Sequence, residues 1–393
     1  MDDVVILSAV RTPIGAFQGA LSGLPAHALG ARAVAAAIER AGLAPEEIQQ
    51  VNMGCVLTAG QGQAPGRQAA LGAGCPVSTG AITLNKVCGS GMRAAMIAAN
   101  DLRCGDFTYV VAGGMESMSQ APYLAMGARD GLRLGHGKLI DSMIHDGLWD
   151  PYGDLHMGSC AEACAAEYSF SREEQDAYSV ESYRRAREAT EKGLSAEEIV
   201  PVKIPQKKGE PVTVDRDEEP FKADLSRIST LRPAFQQEGT VTAGNSSKIN
   251  DGAAALALTT AGEAARRGLK PLARIVAHSS LAQEPQRYAT APAGAVRGAL
   301  ERAGLKAADI DLWEVNEAFA VVALAFLRDL DLPPERVNVR GGAVALGHPI
   351  GASGARLLAT LLYALRERGG RLGCAAICIG GGEATAMIVE RID

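Results

Sequence analysis

Cys88 stands in LNKVCGSGMRAAM, between a strand-like run and a helix-like run, with glycine at 89 and 91. A cysteine at the start of a helix meets unpaired N–H groups and the positive end of the helix dipole, and both favour a thiolate. Type and placement therefore point to a nucleophile. The N–H of Cys88 or Gly89 offers an oxyanion site, and the two glycines let a substrate carbonyl approach the backbone. A packed cysteine at a tight turn is the competing reading.

A thiol nucleophile needs a base. Among six histidines, His348 lies in the glycine-rich GGAVALGHPIGASG (341–354), with Pro349 fixing the backbone after it. Cys378 follows the apolar Ala375–Ile377 and opens a triple glycine, while the matching first-half stretch Val111–Gly113 has no cysteine. Asn316, in WEVNEAFA (313–320), ends the strand-like Ile310–Val315. That is the carboxyl edge where α/β sites collect, and Asn is a neutral donor suited to a water or carbonyl. Each has an ordinary alternative: a solvated histidine, a small buried thiol, an N-capping asparagine.

The elements that must hold these residues repeat. AVAAAIERAGL (33–43) and AVRGALERAGL (295–305) agree at eight of eleven positions. Ser90-Gly91-x-Arg93 with Leu102-Arg103 matches Ser353-Gly354-x-Arg356 with Leu365-Arg366 at nearly the same offset. An α/β unit is therefore duplicated, which brings the loops of Cys88 and His348 to one rim. Each unit has an apolar strand (Val4–Ala9; Leu272–Ala277) and an amphipathic helix ending at Ala-Gly-Leu. A second strand (81–87 in the first half) then leads to a Gly-Ser-Gly or Ala-Ser-Gly turn, a small-residue helix and a strand ending in glycines. After Cys88, Met92, Ala95, Met96, Ala99 and Leu102 make one apolar stripe. The pattern predicts mostly parallel sheets covered by helices on both faces. The chain divides into 1–118 with 250–270, an insertion at 119–249, and 271–393. The insertion carries a charged helical stretch from about Ser159 to Lys192 and the exposed PVKIPQKKGEPVTVDRDEEP, and is expected to supply substrate contacts rather than core.

A net charge of −6 in 393 residues argues against a global grip on nucleic acid or anionic membrane. MDDVVILSAVRTP has acids where a signal peptide needs bases, and no run is long enough to span a bilayer. Eight cysteines do not make a disulfide framework, so free thiols in a reducing cytosol are expected. Cys160/Cys164 and Cys374/Cys378 lack two further zinc ligands, so no metal is expected.

VCGSG, NEAFA, GHPIGASG and CIGGG, in this order and spacing, resemble the thiolase family. The likeness covers essentially the whole chain, with VRTPIGAF near the start and GGMESMS at 113–119. NKVCGSGM, MGSCAE (157–162), TAGNSS (242–247) and GGAVALGHPIGASGAR look like its biosynthetic rather than its degradative long-chain branch. The resemblance implies two βαβαβαββ halves packed as an α-β-α-β-α five-layer sandwich, with an inserted CoA-binding loop domain. It implies reversible condensation of two acetyl-CoA to acetoacetyl-CoA and CoA, through an acetyl-cysteine. Cys88 would be the nucleophile and His348 its activator. Cys378 would move a proton at the methyl of the second acetyl-CoA. Asn316 would hold a water that, with His348, stabilises the enolate, and the amides of Cys88 and Gly380 would form the other oxyanion hole. Leu148, His156, Met157, Phe235, Ala243 and Ser247 match the pantetheine channel, beside Ala318 and Phe319, with Met157 and Phe319 selecting a short acyl chain. No metal or redox cofactor is implied; CoA thioesters are substrates. A homotetramer is implied, with strand 81–87 pairing across a dimer and the loop around 120–140 reaching a second dimer. One departure is Pro220 in DEEPFKADL, where relatives place a basic residue near the adenine; Lys222 and Arg227 stand close by. The alternatives are a degradative 3-ketoacyl-CoA thiolase and a non-catalytic CoA- or lipid-binding protein of the same fold. A decarboxylating synthase, which needs two histidines, fits CIGGG poorly.

Overall fold

The structure is a computed structural model that describes residues 2–392. Strand β1, Val4–Arg11, is buried along its whole length. Its side chains alternate, so that Val5, Leu7 and Val10 enter one apolar layer and Val4, Ile6 and Ala9 another. The other strands on the main path of the sheet are β2 Gln50–Gly54, β3 Gly80–Leu84, β4 Val110–Ser117, β5 Asn250–Thr260, β6 Ala273–Ala282, β7 Leu312–Val315, β8 Leu372–Ile379 and β9 Glu383–Arg391. They pair in the order β7-β8-β9-β6-β1-β5-β4-β2-β3, and the two halves meet where Val5 and Ile6 face Arg274 and Ala273.

The pairing corrects the expectation of mostly parallel sheets. β2–β3, β2–β4 and β7–β8 are parallel. β1–β5, β4–β5, β1–β6, β6–β9 and β8–β9 are antiparallel. In the second half β8 and β9 follow each other through a short turn, and such pairs run antiparallel; β4 and β5 pair in the same sense in the first half although a long segment lies between them. The second half's third strand is reduced to one bridge, Trp313 with Val337.

The helices of eight or more residues are α1 Ala26–Arg40, α2 Pro65–Gly72, α3 Ser90–Cys104, α4 Met157–Tyr168, α5 Arg172–Glu191, α6 Ala291–Ala303, α7 Ala320–Leu330 and α8 Ser353–Arg368. Gly42 and Gly304, at φ 70 and 66, follow α1 and α6 in the left-handed region that the repeated Ala-Gly-Leu supplies. Three apolar clusters give the five layers. One holds α1 and α2 against one sheet face, one holds α6 and α7 against the far face, and the central one holds α3 and α8 between the sheets. The sandwiching corrects the reading of a single stripe on α3. Ala94 and Ala98 are buried as well, and α8 is buried from Ser353 to Leu365. A helix between two sheets needs small or apolar residues nearly all round.

The segment between β4 and β5 contains α4 and α5, two distinct helices rather than one stretch. Ser169 turns left-handed at φ 54, and Ser171 Oγ accepts from Glu174 N at 3.1 Å in a capping box that starts α5. This segment also has core of its own, contrary to the expectation of contacts alone. Cys160, Ala161 and Phe170 pack with Val321 and Val322 of α7. Arg11, buried at the end of β1, ties the segment down through Glu198 (2.7 Å) and both oxygens of Asp217 (2.7 and 2.9 Å).

Candidate active site

The N-termini of α3 and α8 touch, and this contact builds the site. A Cβ on Gly91 would lie 2.9 Å from Ala355 N, and one on Gly354 would overlap Met92 N. Side chains at either place would force the helix starts apart. This corrects the expectation that Gly89 and Gly91 make room for substrate. Ile379 fills the space beside Gly89, and α8 fills that beside Gly91.

Val87 sits at φ 46, rare for a β-branched residue. Ser90 holds the turn: its Oγ donates to Val87 O (2.7 Å) and accepts from Lys86 N (2.8 Å). Cys88 is thereby presented, half-buried, at the head of α3. Burial pushes its thiol up to about 11, although the amides of Gly380 and of Cys88 itself point at the sulfur. The expected thiolate-favouring shift is thus corrected, because desolvation outweighs the amides.

His348 N donates to Asn250 Oδ1 at 2.9 Å. Its Nδ1 lies 2.5 Å from Ser353 Oγ, and that hydroxyl lies 2.9 Å from Pro349 O. A hydroxyl has one proton, and the carbonyl can only accept it. Nδ1 therefore carries the imidazole proton, and Nε2 is the free base. Asn316 Nδ2 sits 3.3 Å from Nε2. Burial, assisted by the Arg356 charge, lowers the His348 pKa to about 3, so the ring is neutral.

Cys378, at the end of β8, is fully buried. Burial raises its thiol well above the ordinary value, and the nearby Cys88 adds to this. The Asn316 side chain and the amides of Cys378 and Ala318 face its sulfur. Asn316 therefore stands between His348 and Cys378 and does not cap α7, whose first turn follows Phe319. Its Oδ1 is buried with no hydrogen-bond partner among the described residues.

Cys88, His348 and Gly380 open onto a cavity of about 430 Å³. Leu148, His156, Met157, Phe235, Ala243, Ser247, Ala318 and Phe319 line the same cavity, while Asn316 and Cys378 are buried and are not part of its lining. His156 Nδ1 accepts from Gly158 N (3.0 Å) at the start of α4, leaving the proton on Nε2. Its ring stacks on Phe235 at 4.8 Å, and Phe235 meets Phe319 edge-on at 5.9 Å. The aromatic wall is closed because Gly158 has no Cβ to obstruct the Phe235 ring.

Several lining or supporting residues escaped the sequence reading. Phe17, Met118, Lys248, Tyr288 and Ile350 also line the cavity, from segments far apart in the chain. Tyr288 OH donates to Met157 O at 3.1 Å. Ser353 had been singled out only as a repeat match. Glu116, inside GGMESMS, accepts from Val56 N (3.0 Å), Leu57 N (3.1 Å) and Gly351 N (2.9 Å). It ties the loop after β2 to the loop of His348, and burial pushes its carboxyl up to about 7. A charged residue inside a fully buried strand was the signal available for it.

Two family profiles match the chain. One, described as thiolase, N-terminal domain, covers residues 4–262; the other, thiolase, C-terminal domain, covers residues 269–391. The chain is 50% identical to an acetyl-CoA acetyltransferase of Pseudomonas aeruginosa, over all of both chains. It is 52% identical to a mitochondrial acetyl-CoA acetyltransferase of Xenopus tropicalis, covering all of this chain and 93% of that one. A thiolase from Ascaris suum, crystallised in complex with coenzyme A, superposes with a TM-score of 0.95 at 43% identity, over 99% of this chain and 100% of the other. With both halves matched and relatives aligned from end to end, the chain belongs to the thiolase family.

Proposed function

We propose that the chain is an acetyl-CoA C-acetyltransferase that condenses two acetyl-CoA to acetoacetyl-CoA and CoA, reversibly. The observation that carries this reading is one cluster: Cys88 and the neutral imidazole of His348 open onto the same apolar cavity, and the Asn316 carboxamide reaches both His348 and the second thiol, Cys378, which lies near Cys88. The names of the full-length relatives support it.

In the first half-reaction, Cys88 Sγ attacks the thioester carbonyl and its proton passes to His348 Nε2. The carbonyl oxygen takes the amides of Cys88 and Gly380, where negative charge develops. CoA leaves as a thiolate and takes the Cys378 proton. In the second, the Cys378 thiolate removes a methyl proton from another acetyl-CoA; the burial that raises this thiol makes its anion a strong base. The enolate oxygen meets His348 Nε2–H and a water held at Asn316. The enolate carbon attacks acetyl-Cys88, and Cys88 leaves and takes back the His348 proton. Leu148, His156, Phe235, Ala243, Ser247 and Ala318 hold the pantetheine arm, while Met157 and Phe319 limit the acyl chain.

The proposal includes a cytosolic homotetramer. Supporting it, β3 is an edge strand, and Tyr123, Leu134 and Leu139 of the loop around 120–140 are largely exposed. A single-chain mass by light scattering overturns the assembly. No helix among the described residues is long and apolar enough to cross a membrane. Some relatives are named mitochondrial, so cell fractionation decides the compartment.

The test is to mix the protein with radiolabelled acetyl-CoA alone and map the label. An acetyl group on Cys88, lost on adding CoA and absent from Cys88→Ala, is expected; Cys378→Ala still acylates but does not condense. A folded, CoA-binding protein that takes no label overturns the mechanism.

A further inference from the structure

Lys248 points inward. Its Nζ donates to Ser246 O (2.8 Å) and Val344 O (3.3 Å) and lies 5.6 Å from the centre of the Tyr183 ring. Glu219 and Glu317 act on it as charges, with no direct ion pair among the described residues. These partners come from separate places: α5 (Tyr183), the short helix Glu219–Lys222, the turn Ala343–Leu346 that leads to His348, and the segment before β5. Two of them form the site. Ser246 bridges to Phe319, and Ser247 N donates to Ala318 O at 2.9 Å, so this segment is the cavity wall. Lys248 O in turn accepts from His348 N at 3.3 Å.

A lysine ordinarily sends its ammonium to water and buries only its stem. Here the residue as a whole is half-buried, but its ammonium turns back onto backbone carbonyls beside the cavity, at a desolvation cost that an apolar residue of similar shape would avoid. What the charge achieves that an apolar residue cannot is to draw two carbonyl oxygens, from the Ser246 wall and the Val344 turn, onto one point.

We propose that the Lys248 ammonium is a positioning residue for coenzyme A: an internal cation that fixes the Ser246–Ile249 wall against the Val344 turn and so sets the width of the channel for the pantetheine arm. The inference rests on the CoA-thioester reading above. Burial lowers the Lys248 pKa to about 8, so the charge-assisted tie is at full strength below that pH and weakens to that of a neutral amine as pH rises through it. The other titratable groups facing it are Tyr183, Glu219, Glu317 and His348. Burial moves Tyr183 up and His348 down to about 3, away from this window.

The experiment is calorimetric titration of the full chain with desulfo-CoA, which has no thiol and cannot react, at pH 7 and pH 9. Wild type is expected to bind at pH 7 and to lose about tenfold in affinity by pH 9, as the charged fraction falls. Glu219→Gln keeps that fall. Lys248→Met, with a similar stem and no charge, binds about tenfold more weakly at pH 7 with no further loss at pH 9. In Lys248→Ala, methylammonium restores binding at pH 7 while leaving wild type unchanged, and tetramethylammonium, which cannot donate, does not. KM for acetyl-CoA rises in both variants, with kcat within about threefold. Wild-type affinity unchanged from pH 7 to pH 9 overturns the proposal even if both variants fail to fold. So does a Lys248→Met protein that keeps the wild-type pH dependence, or a loss in Lys248→Ala that methylammonium does not restore. A wild-type protein that does not bind desulfo-CoA at pH 7 instead removes the CoA reading itself, and this inference with it.

Discussion

Ser353 stands on α8 as Ser90 stands on α3. Each is the first residue of a central helix, and each hydroxyl donates to a carbonyl in the turn just before it, Ser353 to Pro349 O at 2.9 Å and Ser90 to Val87 O at 2.7 Å. The duplicated hydroxyls serve different chemistry. Ser90 holds the turn that presents Cys88, whereas Ser353 accepts the hydrogen bond of His348 Nδ1–H and leaves Nε2 as the base. Ser353→Ala is therefore expected to lower kcat about a hundredfold with little change in KM, because the wrong tautomer becomes accessible. Ser90→Ala is expected to cost about 1–3 kcal/mol of stability, by leaving Lys86 N without its acceptor. Steady-state thiolysis and urea unfolding of the two variants separate the effects; equal kcat for Ser353→Ala and wild type rules the tautomer argument out.

The resting thiol and imidazole are both neutral. Cys88 is raised to about 11 and His348 lowered to about 3, so no thiolate–imidazolium pair forms in the empty site. The thiolate fraction of Cys88 grows about tenfold per pH unit below 11. Alkylation of Cys88 by iodoacetamide, followed peptide by peptide, is expected to accelerate steadily from pH 6 to pH 10. A rate that is already flat from pH 6 contradicts this and reveals an ion pair.

Glu116 makes the site pH-sensitive in a definable direction. Its folded-state pKa of about 7 lies above the ordinary 4.5. A raised carboxyl stabilises the folded state fully below 4.5, and this contribution is lost as pH rises through 7. Relative to Glu116→Gln, which does not titrate, the wild type should lose roughly 2–3 kcal/mol between pH 5 and pH 8. Urea midpoints of the two proteins at both pH values measure it, and parallel midpoints refute it.

Two glycines near the site should respond in opposite ways. A Cβ on Gly354 overlaps backbone atoms of Met92, which cannot move aside without separating the central helices. Gly354→Ala should therefore cost about 3 kcal/mol or more and take activity with it. A Cβ on Gly380 lies 3.6 Å from Val87 Cγ1 and 3.9 Å from Met157 Cε, ordinary contacts, but it enters the cavity beside Cys88. Gly380→Ala should melt within a few degrees of wild type and acylate slowly. Thermal unfolding paired with the acetyl-labelling rate decides both.

Read from the sequence alone, Cys88, His348, Cys378 and Asn316 could each be named, because each interrupts an apolar or glycine-rich run with a residue that such a run does not need. The duplication was equally legible, since Ala-Gly-Leu and Ser-Gly-x-Arg recur at a nearly constant offset. Local pattern also placed most strands and helices, because periodicity reports which face of an element meets the core. What needed the tertiary structure was everything set by contact between segments distant in the chain. Strand direction depends on connections that the alternation of elements does not show, so the mixed sheet was missed. The pKa of Cys88 depends on how much protein surrounds the thiol, which reversed the shift that helix position alone suggested. Ser353 and Lys248 gain their places only where α8, the Val344 turn and the Ser246 wall meet. Glycine spacing marked the loops as special, but only the packed helices show that Gly91 and Gly354 are required by each other's helix, through the exclusion of a single Cβ.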